Sequence, residues 1–285
     1  MIQSICVCGA GTMGAGIAQL AAQSGFPTVL FDIDAGSIQK GEASIKKNLE
    51  SLVTKGKISQ KVKDRALSHL QFTSQMNDCI ADIVIEAIIE KLEIKIGLFN
   101  RLAEINHSET IFATNTSSLS VTAIAAGVMH PSRVLGMHFF NPAPLMKLVE
   151  VVQAEQSDPQ IVQRVYELAK ALGKTPVLCK DAPGFIVNHV ARPYYLEALR
   201  LLEKGAADID TIDELMESSG FKMGPFKLMD LIGNDINYAV SCSVYEQMGR
   251  PARLSPSSIQ KEKVEKGELG KKTGKGFYKY EPKSN

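Results

Sequence analysis

Residues 6–26 read CVCGAGTMGAGIAQLAAQSGF, and the fold is decided by what those glycines do. Gly9, Gly11 and Gly14 stand as G-x-G-x-x-G between a run suited to a strand, Ile5 to Val7, and one suited to a helix, Ala15 to Gln23. In that setting Gly9 turns the chain sharply off the strand. Gly11, lacking a Cβ, lets a pyrophosphate approach the N–H groups of the helix's first turn, and Gly14 lets helix and strand pack closely. A ligand-free tight turn has the same pattern, so the glycines need support from their surroundings.

The support follows at once. PTVLFDID, residues 27–34, reads as a second strand, and Asp32 near its end lies about 20 residues past the glycines, where a ribose-binding acid belongs. A carboxylate there accepts hydrogen bonds from both ribose hydroxyls and repels a 2′-phosphate. Asp34 adds charge and no arginine is close in sequence, so NAD is expected over NADP.

The chain has 285 residues, 45% of them hydrophobic and 22% charged, enough for two domains. Its formal net charge of +1 offers no general attraction to nucleic acid or to a membrane surface. The chain passes from Met1 into a strand with no signal-peptide pattern, and no apolar run approaches the roughly 20 residues that span a bilayer. A cytoplasmic protein is expected. Cys6, Cys8, Cys79, Cys179 and Cys242 show neither C-x-x-C spacing nor a neighbouring His, so no metal site is expected and a reducing compartment suits them.

Residues 36–70 carry helical spacing (Ile38, Ile45, Leu49, Leu52) and many lysines, which predicts a helical hairpin turning near Gly56. Its lysines are either a solvated face or an attraction for a polyanion. Strands then recur at 70–74, 81–88, 110–118 and 133–140, with helices between, the signature of a parallel sheet. In such sheets ligands bind beyond the carboxyl ends of the strands, which gathers Glu86, Glu90, Asn115, Ser117 and His138 along one edge. A strand at 147–154, a helix at 159–173 and a strand at 175–180 complete the pattern. Only helices follow, so the boundary falls near Asp181 to Gly184, where Pro183 and Gly184 interrupt.

His138 ends an apolar strand in GMHFFNPAP, residues 136–144. Twelve residues on, Glu150 interrupts an apolar run and needs a partner if buried. A chain reversing at the Asn-Pro turn brings the two together, either as a general-base dyad or as a structural hydrogen bond at a strand end. In ATNTSSLS, residues 113–120, Ser117 is placed to hydrogen-bond a substrate oxygen, and Asn115 to orient it or to meet a ribose. Ser118 and Ser120 read as helix caps.

GAGTMGAGIAQ (9–19), DIVIEA (82–87), NTSSLS (115–120), HFFNPAPLMKLVEVV (138–152), DAPGFIVN (181–188), MGPFKLMDLIG (223–233) and GKKTGKGFYKY (270–280) together resemble the 3-hydroxyacyl-CoA dehydrogenases, the bacterial 3-hydroxybutyryl-CoA enzymes above all. The resemblance implies a Rossmann-like NAD-binding domain with a helical-hairpin insertion over 1–183 and a helical substrate and dimerisation domain over 184–285. It implies reversible oxidation of a short-chain (S)-3-hydroxyacyl-CoA, with His138 as base, Glu150 orienting it, and Ser117 and Asn188 on the substrate's oxygens. Cofactor contacts are implied for Gly9, Gly11, Thr12, Met13, Gly14, Asp32, Glu90, Lys95 and Asn115. Contacts to coenzyme A are implied for Ser44, Lys47 and Lys55, and a homodimer is implied through the carboxyl-terminal helices. A 3-hydroxyacid dehydrogenase without CoA and a non-catalytic NAD-binding protein are the rival readings. GKKTGKGFYKY is expected to be a structural turn that packs Phe277 and Tyr278, not a phosphate site.

Overall fold

The computed structural model describes residues 2–281. Two compact units divide the chain, Met1–Asp181 and Ala182–Asn285.

The first unit runs β1 (Ile5–Cys8), α1 (Thr12–Gln23), β2 (Thr28–Phe31), α2 (Ala35–Thr54), α3 (Gln60–Ser68), β3 (Leu70–Thr73), β4 (Ile83–Glu86), α4 (Leu92–Ile105), β5 (Ile111–Thr114), α5 (Val121–Ala126), β6 (Val134–Phe139), β7 (Leu148–Gln153), α6 (Pro159–Ala171) and β8 (Thr175–Lys180). The eight strands form one sheet in the order β3-β2-β1-β4-β5-β6-β7-β8. All neighbours are parallel except β6 and β7. β1, β4, β5 and β6 are buried along their whole length, which is why they read as continuous apolar runs instead of alternating ones. The strand order reverses between β1 and β4, so a crevice opens where the glycine loop leaves β1.

The helix after that loop starts at Thr12, three residues before the sequence expectation, with Gly11 as its N-cap. Thr12 and Met13 are therefore in the first helical turn, where backbone N–H groups lack intrahelical partners. The expected hairpin is α2 and α3, and Gly56 turns between them with φ of +65°. Asp34 caps α2, accepting from the backbone N–H groups of Gly36 and Ser37, so its charge serves the helix terminus.

The second unit holds α7 (Val187–Glu203), α8 (Ile209–Ser218), α9 (Pro225–Ile232), α10 (Asn234–Gln247) and α11 (Ser258–Glu265) around a core that includes Leu196, Leu199, Phe226, Met229 and Val244. Its carboxyl-terminal turn is pinned by Asp230, which accepts from the N–H groups of Phe277 and Tyr278 at 2.9 Å each and from the Tyr280 hydroxyl at 3.0 Å. A Cβ on Gly276 would lie 2.1 Å from the Asp230 carboxylate. The glycine is there for that close approach, and the Phe277 ring packs on Phe226, as the structural reading of GKKTGKGFYKY expected. Among the described residues no helix is long and apolar enough to cross a membrane.

Candidate active site

Gly9 and Gly14 do in the fold what their spacing predicts. Gly9 sits at φ +103°, and a Cβ there would lie 2.5 Å from the Ala87 carbonyl oxygen. A Cβ on Gly14 would lie 1.7 Å from the Gly9 oxygen, so only glycine lets α1 approach the loop. Nothing lies within 4 Å of the Cβ position of Gly11, which leaves the helix terminus open to a ligand. The Asp32 carboxylate accepts from the N–H of Ala10 at 2.8 Å and of Asp34 at 3.0 Å, tying the end of β2 to the glycine loop. Beside them opens a cleft of about 610 Å³, lined by Gly9, Gly11 and Asp32 together with Ile33, Met76 and Leu98. Its size and mostly apolar lining suit a dinucleotide's adenosine end. Arg101 from α4 also lines it, a cation that the sequence near Asp32 does not reveal.

At the carboxyl ends of β4 and β5 lies a charge network built on a buried ion pair. Glu86, fully buried, accepts from the Lys95 ammonium at 2.6 Å, the Thr114 hydroxyl at 2.7 Å and the Ile88 N–H at 2.7 Å. Lys95 is 1% exposed and also pairs with Glu90 at 3.1 Å. Glu90 in turn accepts from the Thr116 hydroxyl, the Ser117 N–H at 3.2 Å and the Ser118 hydroxyl at 3.0 Å. Burial presses the Glu90 carboxyl upward, but the Lys95 charge and the hydrogen bonds from Thr116, Lys95 and Ser118 outweigh it and hold the group below its usual range. Ser118 is thus a donor to Glu90 and not a helix cap, whereas Ser120 does cap α5, accepting from the Ala123 N–H. A capping residue has to precede its helix directly, and Ser118 lies two residues before the N-cap position that Ser120 fills.

Asn115 reaches sideways to β6, its side-chain oxygen accepting from the Phe139 N–H at 2.9 Å. The next residue inward on that strand is His138. His138 and Glu150 are direct partners in the antiparallel register of β6 and β7, and the His138 Nδ1 lies 2.7 Å from a Glu150 carboxylate oxygen. The pair is 5% and 1% exposed, with the Phe140 ring 4.6 Å from the imidazole. The turn between the strands is held from below by Lys174, whose ammonium donates to the Ala143 and Met146 carbonyls at 2.5 and 2.8 Å. It also abuts the glycine helix: a Cβ on Gly16 would meet Ala143 and Pro144 at 3.3 and 3.2 Å. The histidine's loop and the cofactor helix are therefore packed neighbours.

The amino-terminal residues 4–182 match the model of the 3-hydroxyacyl-CoA dehydrogenase NAD-binding domain, and residues 184–280 match that of the 3-hydroxyacyl-CoA dehydrogenase C-terminal domain. The chain belongs to the 3-hydroxyacyl-CoA dehydrogenase family. It is 48% identical over 279 residues to a 3-hydroxyadipyl-CoA dehydrogenase of Escherichia coli K12, covering 97% of this chain but only 59% of that longer protein. A 3-hydroxybutyryl-CoA dehydrogenase of Clostridioides difficile is 40% identical, with 97% of this chain and 99% of the relative covered. The crystal structure of an (S)-3-hydroxybutyryl-CoA dehydrogenase from Ralstonia eutropha superposes with a TM-score of 0.94 at 37% identity, over 99% of this chain and 100% of that one.

Family likeness singles out two further sets of residues. Asn188 is in the first turn of α7, in the second unit. Behind it the buried Arg192 donates to the Asn188 carbonyl at 3.0 Å, to the Asn237 carbonyl at 3.0 Å and to the Ser241 hydroxyl at 2.9 Å. Burial lowers that guanidinium to about 10, against a smaller opposing effect of Tyr195. Arg192 is a support that sequence reading missed, since an arginine on an amphipathic helix reads as solvated. Ser44 and Lys47 are exposed on α2, and Lys55 is exposed at its end. Neighbouring Lys46 and Lys63 pair with Glu42 and Glu50.

Proposed function

We propose that this chain catalyses the reversible, NAD-dependent oxidation of a short-chain (S)-3-hydroxyacyl-CoA to the 3-ketoacyl-CoA. The observation that carries the reading is the buried, register-fixed pair of His138 and Glu150 beside the glycine helix. With Nδ1 held by Glu150, the imidazole presents Nε2 to the substrate's 3-hydroxyl and takes its proton, while the carboxylate stabilises the imidazolium. Bound NAD supplies the acceptor for the hydride leaving C3. In the reductive direction His138 returns the proton to the nascent alkoxide. Ser117 and Asn188 hold the substrate's oxygens, and Ser117 is steadied through its own N–H by Glu90.

For the cofactor, Gly9, Gly11, Thr12, Met13 and Gly14 receive the pyrophosphate, and Asp32 the adenosine ribose. Glu90 and Asn115 face the nicotinamide half, and the buried Lys95 acts through Glu90. Ser44, Lys47 and Lys55 attract the phosphates of coenzyme A. We also assign the chain to the cytoplasm as a homodimer. Leu215, Phe221, Leu231 and Ile236 leave large apolar side chains exposed on the second unit, which supports self-association. Light scattering on the purified chain measures the mass directly, and a monomer at micromolar concentration would reject the dimer.

The activity is tested by following NADH oxidation with acetoacetyl-CoA, longer 3-ketoacyl-CoAs and free acetoacetate, each repeated with NADPH. Turnover is expected for the short thioesters with NADH. Turnover of free acetoacetate alone would favour the non-CoA enzyme, and none at all in folded, NADH-binding protein would favour the non-catalytic one.

A further inference from the structure

Three of the five cysteines, scattered in the sequence, meet in the fold. Cys6 and Cys8 project from the same face of β1, two residues apart, with their sulfurs at 3.9 Å. Cys79, from the loop after the short turn Met76–Asp78, brings the third, and all three sulfurs lie within 4.8 Å of one another. None of the three side chains is exposed. We propose that Cys6, Cys8 and Cys79 form a binding site for one soft, thiophilic cation, for which monovalent copper is the model.

The donors are rigid before any ion arrives. β1 is hydrogen-bonded to β2 on one side and β4 on the other, which fixes Cys6 and Cys8. Asn106 ties down the backbone that follows the third donor: its amide nitrogen donates to the Cys79 carbonyl at 2.8 Å, and its oxygen accepts from the Ala81 N–H at 3.0 Å. Such preorganisation separates a site from a chance meeting of core thiols.

Geometry selects the ion. Three sulfurs in a plane, each about 2.3 Å from a central ion, stand about 4 Å apart, close to the Cys6–Cys8 separation. Among the described residues no His, Asp or Glu joins the group, so a tetrahedral zinc ion would lack the fourth protein ligand of a closed structural site. All-sulfur donors favour Cu(I) among biological ions. Copper is held by the sulfurs as thiolates, and the protons they lose on loading pass to solvent. Entry is by the surface loop, where Asp78 and Ile80 flank Cys79 and are exposed. Cys8 directly precedes Gly9, so an ion here would stiffen the strand that carries the glycine loop.

The test is an anaerobic competition between the reduced full-length protein and a chromophoric Cu(I) chelator, with X-ray absorption on the loaded protein. One copper per chain is expected, bound by three sulfurs at about 2.3 Å. Cys79→Ser should weaken binding by more than about 100-fold, beyond the usual effect of removing a supporting group. The paired change of Cys179 and Cys242 to serine should leave it intact. Surrender of all copper by the wild type, equal retention by Cys79→Ser, or nitrogen and oxygen ligands in the spectrum would overturn the proposal. Unfolding curves identify a serine variant that does not fold, and the sulfur count on the wild type then decides alone. The outcome is independent of the dehydrogenase reading.

Discussion

Glu150 in the first unit and Asp230 in the second are both 1% exposed, and both would be expensive to bury alone. Their partners separate them. Asp230 accepts from two backbone N–H groups, the Tyr280 hydroxyl and the Asn234 amide, none of which exchanges a proton near neutral pH. Glu150 faces an imidazole, the side chain whose ordinary pKa lies nearest neutrality. Burial of an acid therefore says little about chemistry until the partner is known: one carboxylate fastens a turn, the other faces an imidazole.

The sharpest way to break this comparison is at the base itself. His138→Gln keeps a hydrogen-bonding group toward Glu150 but removes the proton acceptor, and should lower kcat by about 10²- to 10⁴-fold while NADH affinity, measured by fluorescence titration, stays near wild type. The matching change in the other unit acts on stability. Asp230→Ala strands several buried donors, each worth about 1–3 kcal/mol, and should lower unfolding free energy by about 3 kcal/mol or more in urea titrations. An unaltered urea midpoint would mean that the terminal turn is held by something else.

A third carboxylate, Asp32, extends the contrast, because it is proposed to bind the cofactor as well as to hold the glycine loop. Asp32→Ala should weaken NAD by about tenfold or more and improve the relative use of NADP, with Arg101 available to a 2′-phosphate. Adding Arg101→Ala should abolish the NADP gain; persistence of the gain would remove Arg101 from that role. Glu90 gives a pH-dependent case. Its carboxyl is held below the usual range in the folded chain, so its stabilising contribution is complete above the unfolded glutamate value of about 4.3 and fades as pH falls through the lower folded value. Glu90→Gln should therefore narrow its stability deficit relative to wild type only in that acid window, as followed by thermal unfolding. Smallest of all, Lys47→Ala with Lys55→Ala should raise KM for acetoacetyl-CoA a few-fold, roughly 1 kcal/mol or less, with the difference shrinking in high salt.

Much of this was legible because it is written locally. The buried strands announce themselves as apolar runs, the glycines by spacing, and the His138–Glu150 pair by an acid that an apolar strand cannot hold unpartnered. What escaped reading depends on register between distant segments. Glu86 meets Thr114 because β4 and β5 pair at those residues, and Lys95 meets Glu86 because α4 folds back over the strand ends. Ser118 looks like a cap until Glu90 arrives from another loop. Cys79 joins Cys6 and Cys8 across more than 70 residues with no motif to signal it. Such contacts are set by strand order, which only the assembled sheet displays.

The central claim, that His138 and Glu150 act as one catalytic unit, is tested most directly by a double-mutant cycle on kcat with acetoacetyl-CoA and NADH. His138→Gln, Glu150→Gln and the double variant should show strong non-additivity, the double being little slower than His138→Gln alone, because a carboxylate that works by orienting a base has no work left once the base is gone. Losses that multiply independently would contradict the account and leave Glu150 a structural acid like Asp230.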